Sequence, residues 1–138
     1  MVERVAFATR GSDMDEFYLP EDIAEWLGLK KSEYLSKLIE NLGPHDFQFD
    51  EYHRFEDLIM GTLSHPDWSV EILEDNQNVK TFCKLYLEPE RFHQMIVGVL
   101  IADQNQQDVF VPILSFVTRE ESLVKIFSGG KIVRPILN

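Results

Sequence analysis

Residues 69–87, SVEILEDNQNVKTFCKLYL, determine the predicted fold, because two stretches rich in alternating apolar residues flank a polar segment. This pattern is typical of two β-strands joined by a short turn. Two further stretches of the same kind follow along the chain. The four predicted strands are Ser69–Leu73, Val79–Leu87, Phe92–Ala102 and Val109–Val117, with polar turns at 74–78 and 103–108. Because the connections are short, we expect antiparallel pairing.

Pro112 lies inside the fourth predicted strand. A proline has no backbone N–H to donate to a neighbouring strand. The sequence therefore predicts that this strand lies at an edge of the sheet or carries a β-bulge at Pro112.

The first half of the chain has the spacing of apolar residues expected for helices. Predicted helices cover LPEDIAEWLG (19–28), SEYLSKLIENLGP (32–44) and roughly Asp50–Leu63, with Gly28 as a stop and Ser32 as a cap. Thr118–Glu121 fits a capping box that begins a short C-terminal helix ending near Ser128. We predict an α+β fold, with N-terminal helices packed on a four-stranded antiparallel sheet.

The composition indicates one folded domain covering residues 1–138, with a helical half at about 17–63 and a sheet half at about 69–138. The chain has 138 residues, 44% of them hydrophobic, and a net charge of −11. Residues 1–66 hold 14 acidic and 6 basic side chains, whereas residues 67–138 hold 10 and 7. An acidic surface repels nucleic-acid phosphates, so the charge excludes a broad, nonspecific nucleic-acid binder.

The expected location is the cytoplasm. The first residues include no apolar stretch of signal-peptide length, and the longest apolar run, Met95–Ala102, is too short to cross a bilayer. One cysteine, Cys83, cannot form an internal disulfide, which fits a reducing compartment. We therefore expect no contact with a membrane.

The strand Val79–Leu87 carries the most informative pattern. Alternation places Lys80, Phe82, Lys84 and Tyr86 on one face, opposite an apolar face. Two ammonium groups beside two aromatic rings are suited to binding a phosphate and stacking a base. The alternative is an ordinary strand face whose aromatic rings pack under a helix. Arg91 follows across a tight turn as a further cation.

Metal and cofactor motifs are lacking in the sequence. The four histidines, His45, His53, His65 and His93, do not have ligand spacing, and Ser128–Lys131 does not match a phosphate-binding loop. We predict no metal and no cofactor.

Several short motifs occur in an order that resembles the phage-associated nucleases of the barnase–EndoU–colicin–RelE-like group. They are Leu19-Pro20-x-Asp22-Ile-Ala-x-x-Leu-Gly-Leu, Tyr34-Leu-Ser-Lys37, His45, Tyr52, His65-Pro66-Asp67 and the strand containing Lys84. The resemblance spans about Phe17 to Val133. It implies helices packed on a four-stranded antiparallel sheet, and metal-independent cleavage of RNA.

In that reaction the 2′-hydroxyl attacks the adjacent phosphate with the help of a base, an acid and a cation. The resemblance implies His45 as the general acid or base, Lys84 as the phosphate clamp and Lys37 as a second cation, with Phe82 and Tyr86 stacking a base. The alternative roles are a helix-terminus contact for His45 and a solvated helix position for Lys37.

A second hypothesis follows from the charge of residues 1–66. The chain would then be a non-enzymatic, antitoxin-like or immunity-like protein whose acidic helices bind a basic protein partner. The two hypotheses differ in whether His45, Lys84 and a second cation converge in one cleft.

Overall fold

The computed structural model describes residues 2–8, 14–87, 92–104 and 107–128. The elements follow the order ββα, then a 3₁₀-helix and a short α-helix, then four strands and a last helix. They are β1 (Val2–Ala8), β2 (Met14–Pro20), α1 (Glu21–Asn41), the 3₁₀-helix η1 (Phe49–Leu58), α2 (Ile59–Ser64), β3 (Trp68–Glu74), β4 (Gln77–Leu87), β5 (Phe92–Gln104), β6 (Gln107–Thr118) and α3 (Glu121–Phe127).

The four predicted strands form one antiparallel sheet in the order β3-β4-β5-β6, which confirms the predicted α+β fold. The β3–β4 turn is tighter than expected, because pairing continues to Glu74 and Gln77. Only Asp75 and Asn76 lie in the turn, with φ of 50° and 64°. Two consecutive residues with positive φ are typical of a type I′ hairpin turn, which Asp and Asn tolerate.

Pro112 lies on an edge strand and beside a bulge, as predicted. The register of β5 and β6 shifts between Gly98, paired with Leu114, and Val99, paired with Pro112. Ile113 is therefore the extra residue of β6. The missing N–H of the proline is accommodated where the ladder is already interrupted.

The helical half differs from the prediction in three ways. It begins at Glu21 rather than near Phe17, because residues 14–20 form β2 and pair with β1 in a hairpin that the sequence pattern did not indicate. The two helices predicted at 19–28 and 32–44 are one continuous helix, α1. Leu27, Tyr34 and Leu38 are buried along a single face across the predicted break. Burial of that face outweighs the cost of about 1 kcal/mol for Gly28 in a helix interior.

The third predicted helix is mostly a 3₁₀-helix rather than an α-helix. Aromatic and aliphatic residues recur at intervals of three in η1: Phe49, Tyr52, Phe55 and Leu58. Three residues make one turn of a 3₁₀-helix, so these side chains share one face in that geometry.

The capping box predicted at Thr118 is wrong, because Glu120 is the N-cap of α3. The Thr118 hydroxyl instead donates to the buried carboxylate of Asp46 and accepts a hydrogen bond from the backbone N–H of Glu120.

Helices cover both faces of the sheet. On one face, α1 and α3 pack over Val79, Cys83, Ile96 and Leu100. On the other face, η1, α2 and the segment after α1 pack over Phe82, and over the β5 and β6 residues Met95, Val97, Val99, Phe110 and Val117. Strands buried on both sides need apolar residues at successive positions, which explains the run from Met95 to Leu100.

Candidate functional site

The structure places Lys80, Phe82, Lys84 and Tyr86 on one face of β4, as the alternation predicts. This face is covered by η1 and α2. The predicted nucleic-acid surface therefore lies under helices, and each of its residues has a partner within the chain.

Phe82 has no aromatic face open to a ligand. Its side chain is 3% exposed, and its ring packs on Phe110 with 5.4 Å between centroids. The half-buried Lys80 places its ammonium 5.1 Å from the centroid of the Phe82 ring. Lys80 thus caps a core aromatic residue.

Tyr86 is held from both ends. Its hydroxyl donates to the backbone oxygen of Leu58 at 3.1 Å and lies 3.1 Å from the hydroxyl of Thr62. Its ring stacks on His93, with centroids 5.8 Å apart and 18° between the planes. These contacts connect the end of β4 to η1, α2 and β5.

Lys84 lies beside Tyr86 at the same end of β4. Its ammonium donates to the backbone oxygen of His65 at 2.8 Å and lies 6.0 Å from the centroid of the Tyr86 ring. Lys84 and Tyr86 are therefore a neighbouring cation and aromatic group, as predicted. The histidine at this lysine is His65, which contributes a carbonyl group rather than its imidazole.

The other predicted catalytic residues lie on other elements of the chain. Lys37 is on α1, across the sheet from Phe82, with its ammonium 5.3 Å from the Tyr34 ring and 5.8 Å from the Phe127 ring. His45 is exposed in the turn after α1. The structure does not bring Lys37 to the face of Lys84, and Arg91 lies outside the described residues. The roles of these residues in RNA cleavage stay predictions.

His93 is a buried polar residue that the sequence interpretation left unassigned. It is 4% exposed and lies among three rings, with centroid distances of 5.7 Å to Phe47, 5.3 Å to Phe55 and 5.8 Å to Tyr86. The guanidinium of Arg119 stacks 3.7 Å from the centroid of Phe47. Alternation with Met95 and Val97 is the sequence signal that could have placed His93 on this buried face.

Asp46, next to His45, fastens the segment after α1 to the end of β6. It is 5% exposed and accepts hydrogen bonds from the hydroxyl of Thr118 and from the backbone N–H groups of Phe47 and Arg119, the last two at 2.8 Å. A buried carboxylate with this many donors is a structural anchor.

Cys83 is the single cysteine, and its thiol is not set up as a nucleophile. It is buried and donates to the side-chain oxygen of Gln94 at 3.3 Å. Burial, with a smaller contribution from Asp67, raises the pKa of the Cys83 thiol to about 12. A thiol that stays protonated at neutral pH is a weak nucleophile.

The outward surface of α1 presents a row of exposed residues at spacings of three or four, which we name the acidic row. It comprises Asp22, Glu25, Leu29, Glu33, Ser36 and Glu40. Residues at this spacing form one stripe along an α-helix, here about 27 Å long. The row has no lysine or arginine, and Leu29 near its centre is 72% exposed.

One side of the acidic row lies next to the β3–β4 turn. Lys30 places its ammonium 3.2 Å from Glu33 and 3.1 Å from Glu74. Burial of Lys30 opposes its charge, but the hydrogen bonds that its ammonium donates to Glu74 and Glu33 outweigh that effect and raise the pKa of Lys30. The Trp26 indole N–H donates to Asp75 at 3.0 Å, and the Tyr34 hydroxyl donates to Glu74 at 3.2 Å. These contacts hold α1 against the β3–β4 hairpin.

An open groove of about 400 Å³ runs beside the bulge of β6. It is lined by Lys31 and Leu35 of α1, Phe49 and Tyr52 of η1, and residues 112–115. The Tyr52 hydroxyl is buried and has no hydrogen-bond partner within the described parts of the chain.

Metal and membrane features are not found in the ranges that the structure describes. No group of three or more histidine, cysteine, aspartate or glutamate side chains could hold a metal ion there. Within the same ranges, no helix combines the length and apolar character needed to cross a membrane.

Comparisons with protein-family models, curated proteins and solved structures find no match to this chain.

Proposed function

We propose that the protein is a non-enzymatic interaction protein whose α1 helix binds a basic protein partner. The acidic row is the observation that carries this proposal. Asp22, Glu25 and Glu40 are exposed and form no ion pair with the described residues, so their charge is directed to solvent. Leu29 lies among them as an exposed apolar residue. Protein interfaces commonly surround an apolar centre with a polar rim.

The negative charge of the acidic row determines which partners it attracts and over what distance. Glu33 is paired with Lys30, but the carboxylates of Asp22, Glu25 and Glu40 are left to attract a basic surface over a distance of about 10 Å at moderate salt. Association should therefore be fast at low salt and should weaken as salt is added. A solvated helix face would show no such dependence for one particular partner.

The contacts on β4 also support a non-enzymatic protein. The Phe82 ring is buried, the Tyr86 hydroxyl donates to Leu58, and the Lys84 ammonium donates to His65. Groups that bind RNA would first have to break these internal contacts.

Charge reversal on the acidic row tests the proposal. We expect the purified chain to capture a basic protein from a cell extract at low salt. The purified partner should then bind the E25K/E40K variant at least about tenfold more weakly. The E56K/E120K variant is the matched control, because it makes the same change in net charge at two exposed glutamates outside the row.

Equal weakening by both variants would show a general charge effect rather than a site on α1. Unchanged binding by E25K/E40K would overturn the proposal directly. Thermal unfolding of each variant shows whether the fold is retained.

RNA cleavage is the second candidate, favoured by the position of Lys84 beside Tyr86. We infer from the motif order that Lys84 would bind a phosphate and His45 would transfer a proton, without a metal. The test incubates the protein with RNA in the presence of EDTA. Cleavage should be abolished by Lys84→Ala; cleavage that survives in the Lys84→Ala, His45→Ala double variant would reject both roles.

We propose a cytoplasmic location for either function. The support is the free thiol of Cys83, the single cysteine of the chain. Cell fractionation with a tagged full chain tests this location, and recovery in an exported or membrane fraction would contradict it.

A further inference from the structure

The sheet has two edges, and β3 forms one of them. Within the described ranges, β3 has one hydrogen-bonded neighbour, β4. In an antiparallel pair, alternate residues direct their backbone N–H and C=O groups away from the neighbour. The far side of β3 is thus a row of donors and acceptors that another strand can pair with.

β3 has few of the features that usually protect an edge strand. Its sequence is WSVEILE, with neither proline nor lysine, and its seven residues pair with β4 in an uninterrupted register. Ile72 and Leu73 are 43% and 67% exposed. Natural edge strands are commonly blocked by proline, inward lysine or a bulge, whereas an exposed apolar edge fits strand addition.

Glu71 provides the charge at the middle of this edge. Its cross-strand neighbour is Lys80, but the Lys80 ammonium lies over the Phe82 ring, and the two residues form no ion pair. The exposed carboxylate of Glu71 is therefore left for a cation approaching from the open side of β3. An opposite charge on an adjacent strand stabilises the pairing of the two strands.

The edge is continuous with the acidic row. The last residue of β3, Glu74, shares Lys30 with Glu33 of the row, and Asp75 follows in the turn. One partner can therefore contact α1 and β3 together.

We propose that β3 accepts an extended, basic segment of a protein partner as a fifth strand of the sheet. This inference rests on the proposed function, since it assigns the segment to the partner that binds α1. Val70 and Ile72 lie on the α1 face of β3, and Glu71 lies on the opposite face. The segment thus alternates apolar residues beside Val70 and Ile72 with a lysine or arginine beside Glu71.

The charge favours such a segment over a second copy of this chain. Each copy has a net charge of −11, and both edges would present the same glutamates. Like charges on paired strands are destabilising.

A synthetic peptide of alternating valine and lysine, with the seven-residue length of β3, is the probe. We expect it to bind the full chain and to protect β3 amide protons from exchange. The same peptide with N-methyl groups at alternate residues keeps its charge but cannot pair, and its affinity should fall at least about tenfold. Glu71→Lys should lower the affinity for the peptide about tenfold. The control Glu56→Lys should lower it less than about twofold.

Each contrary result has a defined meaning. Equal binding of the N-methylated peptide, equal affinity for the Glu71→Lys variant, or no binding to the wild-type chain would overturn strand addition. Self-association in sedimentation that Glu71→Lys abolishes would make the occupant a second copy. Glu71→Gln, which removes only the charge, repeats the test if the lysine variant unfolds.

The E25K/E40K variant separates this inference from the proposed function. If β3 binds the peptide, that variant keeps peptide binding while it loses the partner protein. If the variant keeps the partner protein, the proposed function fails, and the peptide result still decides strand addition.

Discussion

At each of the two sheet edges, β3 and β6, an aspartate accepts hydrogen bonds and a tyrosine lies nearby. The two aspartates differ in burial and in partners, and so do the two tyrosines. At β6, Asp46 is buried and accepts several hydrogen bonds at the end of the strand, where it contacts Thr118 and Arg119. At β3, Asp67 is exposed and accepts one, from the backbone N–H of Leu85 at 2.6 Å.

For the tyrosines, the side chain at β3 is the one with a hydrogen-bond partner. Tyr34 donates to Glu74 at the end of β3, whereas the buried hydroxyl of Tyr52 at β6 has no partner in the described chain. Pro112 and its bulge interrupt the β6 ladder, and β3 is uninterrupted. The comparison indicates that β6 is fixed by burial and is a poor template for pairing, while β3 remains accessible.

The largest predicted effect is the difference in stability loss between alanine variants of Asp46 and Asp67. Asp46→Ala should lower the free energy of unfolding by about 3 kcal/mol, because the Thr118 hydroxyl and the Arg119 N–H lose their buried acceptor. Asp67→Ala should cost about 1 kcal/mol, because water can reach the Leu85 N–H. Urea unfolding measures both, with Asp50→Ala on the surface of η1 as the control. Equal losses at Asp46 and Asp67 would contradict the difference between the edges.

Removing the hydroxyl should destabilise the protein at Tyr34 but not at Tyr52, at neutral pH. Tyr34→Phe removes the hydrogen bond to Glu74 and should cost about 1 kcal/mol. Tyr52→Phe removes a buried hydroxyl without a partner, so the variant should be as stable as the wild type or more stable by up to about 1 kcal/mol. The two variants delete the same atom, which makes them matched controls in one unfolding series. A loss at Tyr52 similar to that at Tyr34 would disprove the assignment.

Alkaline pH provides a related test. Burial, followed by the charges of Asp46 and Glu51, raises the pKa of Tyr52 from 10.0 to about 12. The unfolded chain therefore releases this proton first, so the contribution to stability is complete below pH 10 and is lost as the pH rises to about 12. Cys83 adds a loss that begins near pH 9. Tyr52→Phe should flatten the decline between pH 10 and pH 12, and an unchanged slope would refute this origin.

Sequence patterns predicted the sheet better than the helices, for a physical reason. Alternation and polar turns are local signals, and they were sufficient to identify four strands and the irregularity at Pro112. Gly28 and Ser32 are local helix-ending and helix-starting signals too, but burial of Tyr34 and Leu38 on the same face as Leu27 overrides them. The β1–β2 hairpin gave no comparable signal.

The candidate site shows the same limit. Alternation placed Lys80, Phe82, Lys84 and Tyr86 correctly on one face of β4. It could not show that η1 and α2 cover this face, because that depends on packing between residues distant in sequence. The acidity of residues 1–66 was visible in the composition, but the acidic row required the continuous α1 helix.

The smallest predicted effect concerns Pro112. Pro112→Val should lower the free energy of unfolding by about 0.5 kcal/mol, because valine gives the unfolded chain more conformational freedom. The new N–H lies beside an existing bulge, so it should not convert β6 into a regular edge. The variant should therefore bind the valine–lysine peptide with the wild-type affinity, as measured by the same titration. A marked gain in affinity would show that Pro112 alone keeps strands from adding at β6, and the two edges would then differ by one residue rather than by burial.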